Sequence, residues 1–111
     1  MKGGKMTEII IFTETQETAA NWWKEDFLRF SKYGKVKVDR RRLEIITPNC
    51  RIRYMRRAAR AEGLRADLVW GARKNEAEIF MCKSKYARTD CTIENIRNIV
   101  IESFKKEGEK C

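Results

Sequence analysis

Between Lys35 and Arg65 the chain carries eleven basic residues, Lys35, Lys37, Arg40, Arg41, Arg42, Arg51, Arg53, Arg56, Arg57, Arg60 and Arg65, against three acidic ones, Asp39, Glu44 and Glu62. That stretch has a net charge of +8, and the whole protein of 111 residues has +9 at pH 7, so the remainder is close to neutral. Nine of the eleven cations are arginine, whose planar guanidinium keeps its charge and forks onto phosphate oxygens. Arg51 and Arg53 alternate along a strand-like run and share one face, Arg56, Arg57 and Arg60 follow on what reads as a helical turn, and Arg40, Arg41 and Arg42 precede them. These eight arginines are the candidate nucleic-acid-binding residues, because a basic surface of this kind tracks a phosphate backbone. Trp22, just off the core stripe of its helix, offers a face for base stacking. The plainer alternative makes the arginines a solvated strand and helix surface, partly paired with nearby Glu, and packs Trp22 at the edge of the core.

Other chemistry is thinly supplied. The chain has no His, which removes His-based triads, His metal ligands and His general bases. Four Cys stand at positions 50, 82, 91 and 111 without a C-x-x-C pair, so a structural zinc site would need every one of them, and reduced thiols are the simpler reading. The glycines at 3, 4, 34, 63, 71 and 108 form neither G-x-x-x-x-G-K-[ST] nor G-x-G-x-x-G, which leaves no phosphate cradle. Asp67, Glu76 and Glu78 lack the strand-borne Glu with a Lys two residues on that many metal-dependent nucleases use. No catalytic residue, metal or cofactor is therefore expected, and a nuclease of unusual spacing is the remaining enzymatic alternative.

The elements that must position the arginines are legible from periodicity. Thr7 to Phe12 is a continuous β-branched run, the pattern of a strand covered on both faces. Thr13 or Thr15 then caps a helix, with Glu14 and Glu17 near its positive end. Its core stripe is Ala20, Trp23, Phe27 and Phe30, extended by Gln16 and Ala19, while Lys24, Glu25, Arg29 and Lys32 face away. Gly34 is expected as its left-handed C-cap. From Lys35 the period is two: Val36 and Val38 alternate with charges, Leu43 to Thr47 forms a strand, Thr47-Pro48-Asn49 a turn, and Cys50 to Tyr54 a further strand. Met55 to Ala61 is expected as a short helix ending at Gly63, Asp67 to Trp70 and Glu78 to Cys82 as strands, and residues 92–107 as the last helix, with Ile93, Ile96, Val100 and Phe104 inward and Gly108 as its stop.

The order of these pieces resembles part of the viral large terminases and related P-loop DNA-translocating ATPases. The similarity covers residues 7–73 and rests on Ile9-Ile10-Ile11-Phe12-Thr13-Glu14-Thr15-Gln16, on Arg42-Leu43-Glu44-Ile45-Ile46-Thr47-Pro48-Asn49-Cys50-Arg51-Ile52-Arg53-Tyr54, and on Gly63-Leu64-Arg65-Ala66-Asp67-Leu68-Val69-Trp70. In that family the matching stretch lies between the Walker A and Walker B motifs. Here Walker A would fall before residue 7, and Ala72-Arg73 occupies the place of the Walker B acidic pair, so nothing is left to hold Mg²⁺. The resemblance implies a phage or mobile-element origin and a retained α/β scaffold rather than ATP hydrolysis, with Arg65 and Asp67 in structural roles at the start of a strand.

The resulting expectation is an α/β protein with residues 1–6 as a leader, 7–108 as one domain and 109–111 as a tail. Its mixed sheet of five or six strands and two main helices follow the order β-α-β-β-β-(short α)-β-β-α, a degenerate P-loop-like arrangement. It binds nucleic acid or another polyanion without catalysis, in the cytoplasm of a host cell. The alternative is an inhibitor or adaptor that docks an acidic protein surface. No apolar run is long enough for a membrane span, and a second copy of the chain, closing an exposed sheet edge, is a further partner.

Overall fold

The computed structural model describes residues 6–56, 66–72, 77–80 and 92–109. Its elements are β1 (Thr7–Thr13), α1 (Gln16–Phe30), β2 (Lys37–Asp39), β3 (Glu44–Ile46), β4 (Cys50–Arg56), β5 (Leu68–Ala72), β6 (Ala77–Phe80) and α2 (Ile93–Glu109). They form one mixed six-stranded sheet in the order β2-β3-β4-β1-β5-β6, the α/β class expected. β1 lies parallel to both β4 and β5, with Ile9 opposite Ile52 on one side and Leu68 on the other. β2, β3 and β6 extend this parallel centre by antiparallel pairing.

The apolar run of β1 is explained by its central position. Ile9 and Ile11 join α1 and α2 in the larger core, together with Ile45, Cys50, Ile52, Tyr54, Leu68 and Trp70. Ile10 and Phe12 point the other way and pack with Met55, Ala66 and Val69. Both helices thus lie on one face of the sheet. Each buried Ile of this strand contributes about 1.5–3 kcal/mol relative to leaving it in water.

Thr15 caps α1, its side chain accepting from Thr18 N at 3.0 Å, and Thr92 caps α2 in the same way through Asn95 N. The buried stripe of α1 is Ala19, Trp23, Asp26 and Phe30. Ala20 and Phe27 are partly buried, whereas Gln16 is exposed. In α2, Ile96, Val100 and Phe104 are buried and Ile93 partly so. Four local expectations are corrected. α1 ends at Phe30 with Ser31 as its cap in right-handed geometry, so Gly34 is not a left-handed cap. α2 runs through Gly108 to Glu109. β3 begins at Glu44, because Leu43 takes a positive φ of 53° at the end of the β2–β3 turn. Met55 and Arg56 belong to β4 rather than to a short helix, and the remainder of that expected helix lies outside the described residues.

Gly34 instead answers to space. A Cβ built there would sit 2.8 Å from Phe104 Cδ1, inside van der Waals contact with a ring that is itself buried in the core. Gly34→Ala is expected to destabilise the protein by about 1–3 kcal/mol through this overpacking, read as a lower urea midpoint with an unchanged m-value.

Candidate functional site

The arginine block divides into two groups. Asp39 closes β2, and its Oδ1 accepts from the backbone N–H of Arg41 (2.9 Å) and Arg42 (3.2 Å). This local clasp ties down the turn's backbone, and Arg40, Arg41 and Arg42 are all exposed on it. Leu43 completes the reversal. Its left-handed backbone costs on the order of 1–3 kcal/mol and is held by burial of its side chain and by Tyr54 N donating to its carbonyl at 3.0 Å.

The second group rides on β4. Arg51 and Arg53 stand in register with Ile46 and Glu44 on the sheet face away from the helices. The Glu44 carboxylate lies 3.6 Å from Arg51 Nε and 3.8 Å from Arg53 Nε, and the two arginine side chains remain 40% and 44% exposed. One carboxylate serves two guanidiniums, and Glu8 on β1 stands in register with Arg51 on the same face. Arg56 is exposed at the last position of β4.

Topology gathers the two groups. β3 runs antiparallel to β4, with Glu44 opposite Arg53, so the turn that precedes β3 lies where β4 ends. Arg40, Arg41, Arg42, Arg53 and Arg56 therefore share the carboxyl-terminal edge of the parallel strands, the side on which open α/β sheets characteristically receive ligands. Glu14 and Glu17 flank the start of α1 at the same edge and set negative charge next to this basic surface. Arg57 and Arg60 lie outside the described residues.

A second constellation was not anticipated. Asp26 is fully buried on the core face of α1. Its Oδ2 accepts from the Tyr54 hydroxyl at 2.6 Å, and its Oδ1 faces two guanidiniums, that of Arg29 on the same helix and that of Arg97 on α2 at 3.1 Å. The sequence reading turned Arg29 outward; the structure brings it back over the buried carboxylate. Burial, then the neighbouring Asp26 charge, pushes the Tyr54 hydroxyl well above its ordinary pKa, so it stays a donor across the physiological range. The available signal was Asp26 itself, a carboxylate three residues after Trp23 and four before Phe30 on an apolar stripe.

Trp22 is not an open stacking face. Its ring stacks on Trp70 with centroids 5.5 Å apart and carries the Arg97 guanidinium 5.5 Å from its centroid, which uses the indole to join α1, β5 and α2. Trp23 donates from Nε1 to the Glu44 carbonyl at 3.0 Å and ties α1 to β3. Asp67 fastens the chain entering β5 to β1: its N–H donates to the Glu8 carbonyl at 2.8 Å, and its Oδ2 accepts from Glu8 N at 2.9 Å, whereas Arg65 lies outside the described residues. Cys50 is a buried thiol 3.7 Å from Ser103 Oγ. The other three cysteines lie outside the described residues.

Among the described residues no group of three or more His, Cys, Asp or Glu is placed to hold a metal ion, and no helix is long and apolar enough to cross a membrane. The fold and site define a small α/β protein with an arginine-bearing sheet edge. Comparison with protein-family models, with curated proteins and with solved structures returns no match.

Asp26→Asn should cost about 3–5 kcal/mol of stability, because two guanidiniums lose the charge that compensates them, measured by urea denaturation at neutral pH. A raised folded-state phenol pKa stabilises the protein fully below the unfolded Tyr value of about 10 and less as pH climbs above it, since only the unfolded state then releases the proton. Stability is expected to fall above about pH 10, and Tyr54→Phe should remove the Tyr54 part of that fall while lowering stability at pH 7 by about 1.5–3 kcal/mol for the lost hydrogen bond to a charged acceptor.

Proposed function

We propose that the protein is a non-catalytic nucleic-acid-binding protein that holds a phosphate backbone with the arginines at the carboxyl-terminal edge of its parallel strands. The observation that carries this reading is the meeting of two groups distant in sequence, Arg40, Arg41 and Arg42 on the clasped β2–β3 turn and Arg53 and Arg56 on β4. Arg51 extends the same basic track along the sheet face away from the helices, beside Glu44. Phosphate contacts of this kind supply affinity without reading bases. A terminase-like, phage or mobile-element ancestry belongs to the same proposal and is supported by the residues that carry the resemblance.

The test is fluorescence anisotropy with a 20-base-pair duplex and a matched single strand over a range of salt concentrations. The protein should bind with an affinity that falls steeply as salt rises. Arg40→Gln, Arg41→Gln, Arg42→Gln and Arg56→Gln together should weaken binding by at least tenfold and flatten the log–log salt slope by about 0.9 for each duplex phosphate no longer neutralised. Unchanged affinity and slope in that variant would sink this assignment of the interface. Absence of binding to either nucleic acid at tens of micromolar protein would turn the basic edge over to an acidic protein surface.

A further inference from the structure

A separate cleft opens between the carboxyl-terminal half of α1 and the amino-terminal half of α2. It has a volume of about 390 Å³ and is lined by Arg29, Lys32, Tyr33, Glu94, Arg97, Asn98 and Ile101. From this lining we propose that the cleft binds the phosphate group of a small molecule, independently of the arginine edge.

Charge balance is the first argument. Arg29 and Arg97 both address one carboxylate oxygen of Asp26, whose other oxygen accepts from Tyr54. A single negative charge is shared by two guanidiniums, so one positive charge is left over at the wall of the cleft. Lys32 adds a second and Glu94, the only acidic side chain in the lining, offsets one, so the balance stays positive by a single charge.

Preorganisation is the second. Asp26 and the Trp22 ring hold Arg97, which is only 19% exposed, and the bond to Asp26 holds Arg29. Fixed guanidiniums lose little rotamer freedom when an oxyanion arrives, which favours phosphate over a diffuse counter-ion. The Asn98 amide supplies a neutral donor. Tyr33, half-exposed with its ring 6.3 Å from that of Phe104, and Ile101 form an apolar wall against which the organic part of a phosphate monoester can lie. The volume is ample for a nucleoside monophosphate, since small-molecule pockets start near about 300 Å³.

The experiment titrates the intact protein with AMP, adenosine and inorganic phosphate at matched ionic strength, following ¹H–¹⁵N shifts. AMP should saturably shift the amides of Arg29 to Tyr33 and of Glu94 to Ile101, and adenosine should not. Inorganic phosphate producing the same shifts at comparable concentration would support the site and identify free phosphate as its ligand; weaker binding of phosphate than of AMP would support it with a monoester as ligand. Lys32 is exposed and makes no ion pair among the described residues, so Lys32→Glu should fold normally and weaken AMP binding by at least tenfold. It should leave duplex binding unchanged, and the Arg40, Arg41, Arg42 and Arg56 variant should leave AMP binding unchanged, so failure of either site is read separately. Equal shifts with adenosine, unaltered affinity in Lys32→Glu, or no saturable shift in this cleft would overturn the proposal.

Discussion

One buried carboxylate joins both helices to the sheet. Asp26 sits where an apolar side chain would be expected on α1, and a charge in that position is tolerable only because a phenol from β4, a guanidinium from its own helix and another from α2 converge on it. Each partner is constrained in turn. The Tyr54 hydroxyl has its pKa pushed up by burial and by the neighbouring Asp26 charge, Arg97 lies over the Trp22 ring, and Trp22 stacks on Trp70. Three elements remote in sequence are thereby fixed against one another by directional contacts, which an apolar side chain at the same position would not specify.

The distribution of positive charge follows from the same architecture. With both helices on one face, the opposite face of β3 and β4 carries Arg51 and Arg53 beside Glu44. Asp39 commits one carboxylate oxygen to the backbone of the β2–β3 turn, and the turn's three guanidiniums stay at the surface. The protein thus separates two uses of arginine. Arg29 and Arg97 are held close to a buried anion, while Arg40, Arg41, Arg42 and Arg56 are exposed to solvent.

Much of this was legible in the sequence because it depends on local pattern. The uninterrupted Ile9 to Phe12 run required a strand buried on both faces, and such a strand required neighbours on both sides, which β4 and β5 provide. A threonine cap at Thr13 or Thr15, the Thr47-Pro48-Asn49 turn and the inward stripe of α2 follow from short-range chemistry of the same kind, and the structure selects Thr15. What periodicity did not show was set by partners distant in the chain. Gly34 looked like a helix stop but is small because Phe104 lies against it. Arg29 sits on the polar side of a helical wheel, yet a buried anion one turn earlier attracts it. Trp22 seemed available for a ligand until Trp70 and Arg97 occupied its surroundings. The clustering of arginines was visible in the counts; that the β2–β3 turn and the end of β4 share an edge was not, because it depends on strand direction and register.

The parallel pairing of β1 has a consequence in time as well as in space. β1 leaves the ribosome before either neighbour, for Thr7 finds its partner at Cys50 and Ile9 another at Leu68. Its backbone hydrogen-bonding groups and the apolar side chains of Ile9 to Phe12 therefore wait, unpaired, until both of those later segments have been made. Sheets whose central strand is completed by such distant segments close late and slowly, and an exposed β-branched run is prone to self-association in the interval. Lys2 and Lys5 precede that run in the sequence and set like charges next to it, a feature that opposes pairing of one nascent chain with another.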